Sequence, residues 1–344
     1  MVFANDSGLG AQTRRLTYML RPDRLLAIDS SPFSKNKVQH FDWYNNFTGY
    51  KVIGFPTNRE VAVFASGLTH ILVCENPLNF HLLTFAKAKG IKVYIQSNYE
   101  FCDNLRDNLP LPHKFLMPSY WHVETMKDRF GDQVVEYLPP PIDPNEFKDA
   151  REENFDRGNL AKSNPRFLHI VGTLAINDRN GTLDLIEALK HSKAQFTLVI
   201  KSQHELPPQY ITKDHRVIYK VGNDLDAQNM YRDFDAMILP RRYGGLSLTT
   251  NEALISGLPV IMSNTSPNNQ LLPENWLVDG EVSGQFMTRA IIDIFKTDSL
   301  KLGQKLDWLT LQDFDKMKIK AFEIGYDNFS ETVLKPQYEN LWSR

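Results

Sequence analysis

The sequence predicts an α/β fold with mostly parallel sheets, and three observations predict it. Short apolar runs of strand length recur along the chain, with helix-length segments between them. The alternation comes in two blocks, separated by one polar stretch. The length, 344 residues, is enough for two domains that each bury a core of their own.

The first block supplies strand candidates at "LLAID" (25–29), "YKVIGFP" (50–56), "HILVCEN" (70–76), "IKVYIQS" (91–97), "HKFLMPS" (113–119) and "VVEYLPP" (134–140). Between them "NFHLLTFAKAKG" (79–90) reads as a helix closed by glycine. The stretch 143–165, "DPNEFKDAREENFDRGNLAKSNP", is rich in Asp, Glu, Asn and Lys, shows no apolar period and reads as the linker. The alternation restarts with "RFLHIVG" (166–172), "FTLVIKS" (196–202), "HRVIYKVG" (215–222), "FDAMILP" (234–240) and "LPVIMSN" (258–264), with "GTLDLIEALKHS" (181–192) as a helix between the first two. From about 284 to 344 the chain reads as helical, and Pro336 is expected to kink or break the last helix. No repeat and no low-complexity tract is found.

Composition narrows the function classes. The formal net charge is −2, so nothing at whole-chain level demands nucleic acid or an anionic membrane. Cys74 and Cys102 are the only cysteines, which excludes a disulfide framework and fits a reducing compartment. No apolar run approaches the roughly 20 residues a bilayer span needs, and the N-terminus lacks a signal-peptide layout. A cytoplasmic protein is expected, or one of the host cytoplasm if the source is viral, with peripheral membrane contact left open.

The stretch "MILPRRYGGLSLTTNEALISGLPVIMSN" (237–264) concentrates the chemistry. A buried strand ends in Arg241 and Arg242. Gly244 and Gly245 then turn the chain into a helix, for which Thr249 and Glu252 read as a capping box and Gly257 as the terminator. In parallel sheets ligands bind beyond the carboxyl ends of the strands. Free amides at a helix start are an anion site, so a diphosphate would fit there beside the arginines. Taken alone, the pattern is equally a capped helix with no ligand. "DFD" (233–235) opens a buried strand and reads as structural rather than as a metal-binding pair.

The same stretch resembles the donor-site signature of retaining glycosyltransferases of the GT-B fold (glycosyl transferases group 1, family 4-like): a strand ending in proline, an E-x7-E motif, a helix and "GxPVI". The resemblance extends to "FLHIVGTLAINDRNGTLDLIEAL", to "HRVIYKVGNDLDAQNMYRDFDAMILP", to "FLMPSYWHVETM" with "EYLPPPIDPNEF", and to "NDSGLGAQTRRL" near the N-terminus. It covers most of the chain, in the family's order. It implies two Rossmann-like domains facing each other across a cleft. An acceptor-binding domain would span 1–150, a nucleotide-sugar domain 160–327, and a C-terminal helix, 328–344, would cross back to the first.

On this resemblance Glu252 matches the second glutamate of E-x7-E, which accepts hydrogen bonds from the nucleotide ribose. The amides of Gly245, Leu246, Ser247, Leu248 and Thr249 would face the diphosphate, Arg242 matches a frequent arginine, and Gly172 matches the glycine after the first donor-domain strand. Three positions depart from the pattern: the first glutamate falls on Gly244, the usual arginine on Thr173 and the usual lysine on Asn180. Arg179, Lys201, Arg241 and Arg242 are the cations available to replace them, with Lys201 and Arg242 the best placed. The acceptor side would draw on Gly8, Leu9 and Gly10, and on Glu75, Asn76, Asn98, Tyr99 and Glu100 at strand ends. Lys201, Arg242 and Glu100 are the candidate catalytic residues. His122 reads as a helix-start residue rather than a base.

The implied reaction moves a sugar from a nucleotide diphosphate, a UDP- or GDP-sugar first, to an acceptor hydroxyl with retention and without a metal or other cofactor. The acceptor stays open among saccharides, lipid-linked sugars and hydroxymethylated bases in viral DNA. Arg14, Arg15, Arg21, Arg24, Lys35 and Lys37 give the N-terminal region only a modest basic excess, which reads first as a solvated face. Two other readings remain: a non-catalytic GT-B-like module that holds a nucleotide or glycan, and a sugar phosphorylase of the same fold. A Rossmann dehydrogenase is disfavoured, because "SGLG" (7–10) is not GxGxxG.

Overall fold

The computed structural model describes all residues except 33–37, 103–109, 159–162, 173, 223–225 and 344. Thr173, Lys35 and Lys37 therefore lie outside the described residues. The chain forms two compact units: Met1–Pro141 with Thr288–Ala290 and Glu331–Arg344, and Ile142–Met287 with Ile291–Ser330. Among the described residues, no helix is long and apolar enough to cross a membrane.

Among the described residues, the named strands of the first unit all pair in parallel. β1 (Val2–Phe3), β2 (Leu25–Asp29) and β3 (Gly49–Ile53) form one sheet in the order β1-β2-β3. β4 (His70–Cys74), β5 (Lys92–Gln96), β6 (Lys114–Met117) and β7 (Val135–Tyr137) form another, ordered β4-β5-β6-β7. The Met1 amine donates to the Leu72 carbonyl at 2.8 Å, so β1 lies alongside β4 and the two sheets adjoin. Helix α1 (Gly8–Leu20) follows β1, α2 (Asn58–Ala65) follows β3 and α3 (His81–Lys89) follows β4. Gly90 closes α3 at φ 69°, as expected of a left-handed terminator. α4 (Val123–Phe130) completes this block, and His122 is its N-cap residue, at φ 55°.

In the second unit the first part of the polar stretch read as a linker is folded. Pro144–Phe147 is a 3-10 turn and α5 (Lys148–Asp156) follows it. Phe147, Ala150 and Asn154 are buried, one helical face among otherwise charged neighbours. The main sheet comprises β8 (Arg166–Gly172), β9 (Thr197–Ser202), β10 (Val217–Val221), β11 (Ala236–Leu239), β12 (Val260–Ser263) and β13 (Leu277–Val278). Its order is β10-β9-β8-β11-β12-β13, all parallel. β8, β11 and β12 are buried along almost their whole length, as sheets covered on both faces require. α6 (Thr182–Leu189) lies between β8 and β9, and α7 (Leu248–Ile255) between β11 and β12. The short α8 (Asn268–Leu271) follows β12.

The C-terminal region departs from the all-helical expectation. β14 (Gly280–Met287) and β15 (Ile291–Thr297) form an antiparallel pair before the helices begin. α9 (Ser299–Leu309) and α10 (Phe314–Phe329) then belong to the second unit. α11 (Glu331–Ser343) belongs to the first and runs through Pro336 without a break. It is anchored there by Tyr338, whose hydroxyl donates to the Pro139 carbonyl at 2.9 Å and accepts from Gln96 at 2.6 Å.

Candidate functional site

Strand order gives a candidate site in the second unit. In the order β10-β9-β8-β11-β12-β13 the connections reverse direction between β8 and β11. In open parallel sheets ligands bind beyond the carboxyl ends of the strands at such a reversal, which makes the ends of β8 and β11 the candidate place. Residues 174–181, which lead into α6, and the segment between Leu239 and α7 flank that position.

These two segments are fastened to each other. A Cβ on Gly181, at φ +69°, would meet the Pro240 carbonyl oxygen at 2.0 Å, so only glycine fits. The Arg242 amide donates to the Arg179 carbonyl at 2.8 Å, and Tyr243 Oη donates to the Ile176 carbonyl. Arg179 lies over the Tyr243 ring at 4.9 Å. Below them, buried His169 bridges the Ile238 carbonyl through Nδ1 at 2.8 Å and Thr182 Oγ1 through Nε2 at 2.9 Å. Asp178 caps α6 by accepting from the Thr182 and Leu183 amides at 3.1 and 2.8 Å. Burial raises its pKa, against those amides and the Arg242 charge.

The opening of α7 differs from the expected capping box. Ser247, not Thr249, is the N-cap, and its hydroxyl accepts from the Thr250 amide at 3.4 Å. That shift places Glu252 in the second turn, out of reach of a reciprocal cap. Gly244 turns the chain at φ 102°. Among the described residues no acceptor takes the Ser247, Leu248 or Thr249 amide, so the positive end of the helix dipole keeps open donors. The other end has the expected glycine. Gly257 sits at φ 72°, its amide donates to the Leu254 carbonyl at 2.9 Å, and the Leu258 amide donates to Ala253 at 2.8 Å.

Glu252 is 8% exposed, and its Oε2 accepts a hydrogen bond from Tyr231 Oη at 2.6 Å. Tyr231 and Asn154 are functional candidates that the sequence reading missed, and Ser247, expected there only for its amide, is also the N-cap. Tyr231 stood within the quoted stretch "AQNMYRDFD", so a signal was present.

The cations are engaged with protein groups. Arg242 grips Asp184 through two hydrogen bonds, of 2.9 and 2.5 Å. Burial works against its charge, but the Asp184 carboxylate outweighs burial and holds its pKa above the usual range. Lys201 donates to the Asn229 and Met230 carbonyls at 3.2 and 3.1 Å. Arg241 braces the glycine turn, donating to the Gly245 and Leu246 carbonyls at 3.4 and 3.1 Å. Asn180, where the resemblance expects lysine, donates to the Ile170 and Val171 carbonyls at 3.0 and 3.1 Å. Asp233 and Asp235 of "DFD" pair with Arg157, Arg166 and Lys318.

In the first unit Gly8, Leu9 and Gly10 form the first turn of α1 rather than a loop, capped by Ser7. A Cβ on Gly10 would meet the Asn5 carbonyl at 1.8 Å, which explains the glycine without a ligand. Glu75 and Asn76 line a cavity of about 320 Å³ past the ends of β4 and β5, together with Ser97, Phe115 and Arg129. Asn98, Tyr99 and Glu100 stand apart from that cavity wall. Asn98 precedes the 3-10 turn Tyr99–Phe101, Tyr99 stacks on His122 at 4.0 Å, and Glu100 is buried.

With this geometry in place, comparison with known proteins gives three results. The sequence model of the family "Glycosyl transferases group 1" matches residues 165–296. No curated protein matches the chain. Solved structures share its fold along nearly its whole length. A glycosyltransferase from Rickettsia africae has a TM-score of 0.71 at 13% identity, over 99% of this chain and 96% of that one. Anabaena HepE in complex with UDP and glucose has 0.69 at 12%, over 99% and 98%. The lipopolysaccharide outer core galactosyltransferase WaaB has 0.68 at 13%, over 99% and 98%. The chain is thus an α/β protein with the Rossmann-like units of GT-B structures, and the family match over 165–296 supports a glycosyltransferase.

Proposed function

We propose that this protein transfers a hexosyl group from a nucleoside-diphosphate sugar to an acceptor hydroxyl, with retention at the anomeric carbon. One observation carries the proposal: α7 opens at the switch point with unclaimed amides at Ser247–Thr249 and a buried carboxylate, Glu252, one turn later. The amides suit a diphosphate and the carboxylate suits ribose hydroxyls. The solved HepE complexes contain UDP and UDP-glucose, which favours a UDP-sugar as donor here.

In the proposed reaction the bond from anomeric carbon to phosphate oxygen breaks as the acceptor oxygen bonds to the same face. The acceptor's proton passes to the departing phosphate. Negative charge grows on the diphosphate, and the helix start stabilises it without reorganising. Lys201 and Arg242 would add charge there by exchanging the Asn229 and Met230 carbonyls, or Asp184, for phosphate oxygens. Glu100 is proposed on the acceptor side. A saccharide, a lipid-linked sugar and a hydroxymethylated base in DNA are the acceptor classes to test. Such donors and two buried free thiols fit a cytoplasmic setting.

The experiment is a thermal-shift screen against UDP-, GDP-, ADP- and dTDP-sugars, followed by a turnover assay with the donor that binds. One donor should raise the midpoint, and Glu252→Ala should remove most of that rise. No shift with any donor sinks the proposal. A second reading, a nucleotide-binding module without turnover, is favoured by Gly244 at the first motif position and by the Arg242–Asp184 pair. Binding without hydrolysis or transfer in the same assay would select it.

A further inference from the structure

From the surroundings of Arg242 we infer that Asp184 limits how tightly the proposed site holds a nucleoside diphosphate, because it neutralises the arginine that leads into the open helix start. Asp184 acts through Arg242 and is therefore a positioning residue. The inference rests on the proposed nucleotide-sugar reading and deepens it.

Arg242 is held from three directions. Its amide donates to the Arg179 carbonyl and its carbonyl accepts from the Phe295 amide, both at 2.8 Å. Its guanidinium meets Asp184 side on: Nε donates to Oδ2 at 2.9 Å and Nη2 to Oδ1 at 2.5 Å. Each carboxylate oxygen takes one bond, the two-pronged geometry in which arginine and carboxylate pair most strongly. A pair so formed has no net charge. An anion that approaches α7 meets a dipole where an unpaired arginine would present a full positive charge.

Two structural roles for Asp184 are already filled. The first is to serve the helix start. Asp184 lies in the first turn of α6, where a carboxylate suits the dipole. Asp178 already takes the Thr182 and Leu183 amides there. Burial first, and the Asp184 charge besides, raise the Asp178 pKa, so the second carboxylate works against the first. The other role is to fasten residues 174–181 to the segment after β11. The Arg242 amide on the Arg179 carbonyl does so, and so does Tyr243 Oη on the Ile176 carbonyl. A buried ion pair adds little net stability. What the pair does change is the charge available at the turn.

The consequence is release. A departed nucleoside diphosphate carries more negative charge than the same diphosphate bonded to a sugar. A fully charged Arg242 would hold that product more firmly than the donor, and product release often limits turnover.

The test titrates UDP into the full chain by calorimetry, for wild type, Asp184→Asn, Arg242→Gln and the double variant. Asp184→Asn keeps the shape and one acceptor, and Arg242, whose side chain is 17% exposed, stays charged against solvent. That variant should bind UDP about tenfold more tightly than wild type. Arg242→Gln should bind within about threefold of wild type, and the double variant within about threefold of Arg242→Gln. Uridine, which has no phosphate, should bind wild type and Asp184→Asn alike when measured by displacement of UDP. Equal or weaker binding of UDP by Asp184→Asn overturns the inference and leaves the transferase proposal standing. A gain that survives at the same size in the double variant, or that uridine shares, overturns it too. Should Asp184→Asn not fold, Arg242→Lys decides. Lysine meets the carboxylate as a point charge rather than a fork, so binding at least as tight as wild type is expected, and binding about tenfold weaker overturns the inference. Wild type that fails to bind UDP or any other nucleoside diphosphate overturns both.

Discussion

His169 shows how one residue sets the chemistry of its surroundings. A carbonyl only accepts, so the bond to Ile238 fixes the proton on Nδ1 and leaves Nε2 to accept from the Thr182 hydroxyl. The ring is neutral, fully buried and joins the two central strands to the start of α6. Burial pushes its pKa down to about 4, from 6.5. Between those values the unfolded chain binds the proton that the folded protein refuses. This contribution is complete above about pH 6.5 and is lost as pH falls toward 4, amounting to about 3 kcal/mol. His169→Gln keeps a donor and an acceptor but cannot titrate. Unfolding free energies measured from pH 7 to pH 4 should fall by about 3 kcal/mol more in wild type than in the variant. Parallel slopes would show that the imidazole is not held neutral.

At the scale of the element, α7 is an eight-residue helix whose first turn depends on Ser247. Ser247→Ala should cost about 1 kcal/mol, seen as a lower urea midpoint at unchanged slope. Thr249→Ala should cost much less, because Thr249 caps nothing. The sequence "LSLTTNE" offers three hydroxyls within four positions, so pattern alone could not choose among them. β2 to β12 were legible to within a few residues, the central ones because strands covered on both faces read as continuous apolar runs, whereas the two-residue β1 and β13 were too short to show a pattern. The hairpin β14–β15 was not. Most of its residues are exposed, so no alternation marks a core face, and its turn, Thr288–Ala290, carries no Gly, Pro, Asn or Asp. α5 was hidden for the opposite reason: its buried set is so small that charged neighbours outweigh it in composition. In the proposed site, Glu252 was singled out from the sequence but its hydrogen-bond partner was not, since Tyr231 lies 21 residues away. The cations were found at strand ends, but Asp184, which occupies Arg242, lies 58 residues upstream.

At the scale of the whole molecule, the two units carry separate apolar cores. One is built on β8, β11 and β12, and others on the strands of the first unit. Two-domain chains commonly unfold in more than one step, and a ligand stabilises only the species to which it binds. The proposed nucleotide contacts, the open amides and Glu252, all belong to the second unit. Its donor at 100 times the dissociation constant therefore adds about 2.7 kcal/mol to the unfolding of that unit. Amides that exchange only through that unfolding should slow by about a hundredfold. Hydrogen exchange read by mass spectrometry separates the cases, because β8, β11 and α7 fall on different peptides from β4, β5 and β6. The proposal expects protection at β8, β11 and α7 and none at β4–β6, and protection of β4–β6 at equal size would mean that the two units open as one. Protection at β8, β11 and α7 alone would show that the second unit holds the nucleotide and unfolds by itself, and absence of protection at α7 would remove the helix start from the binding site.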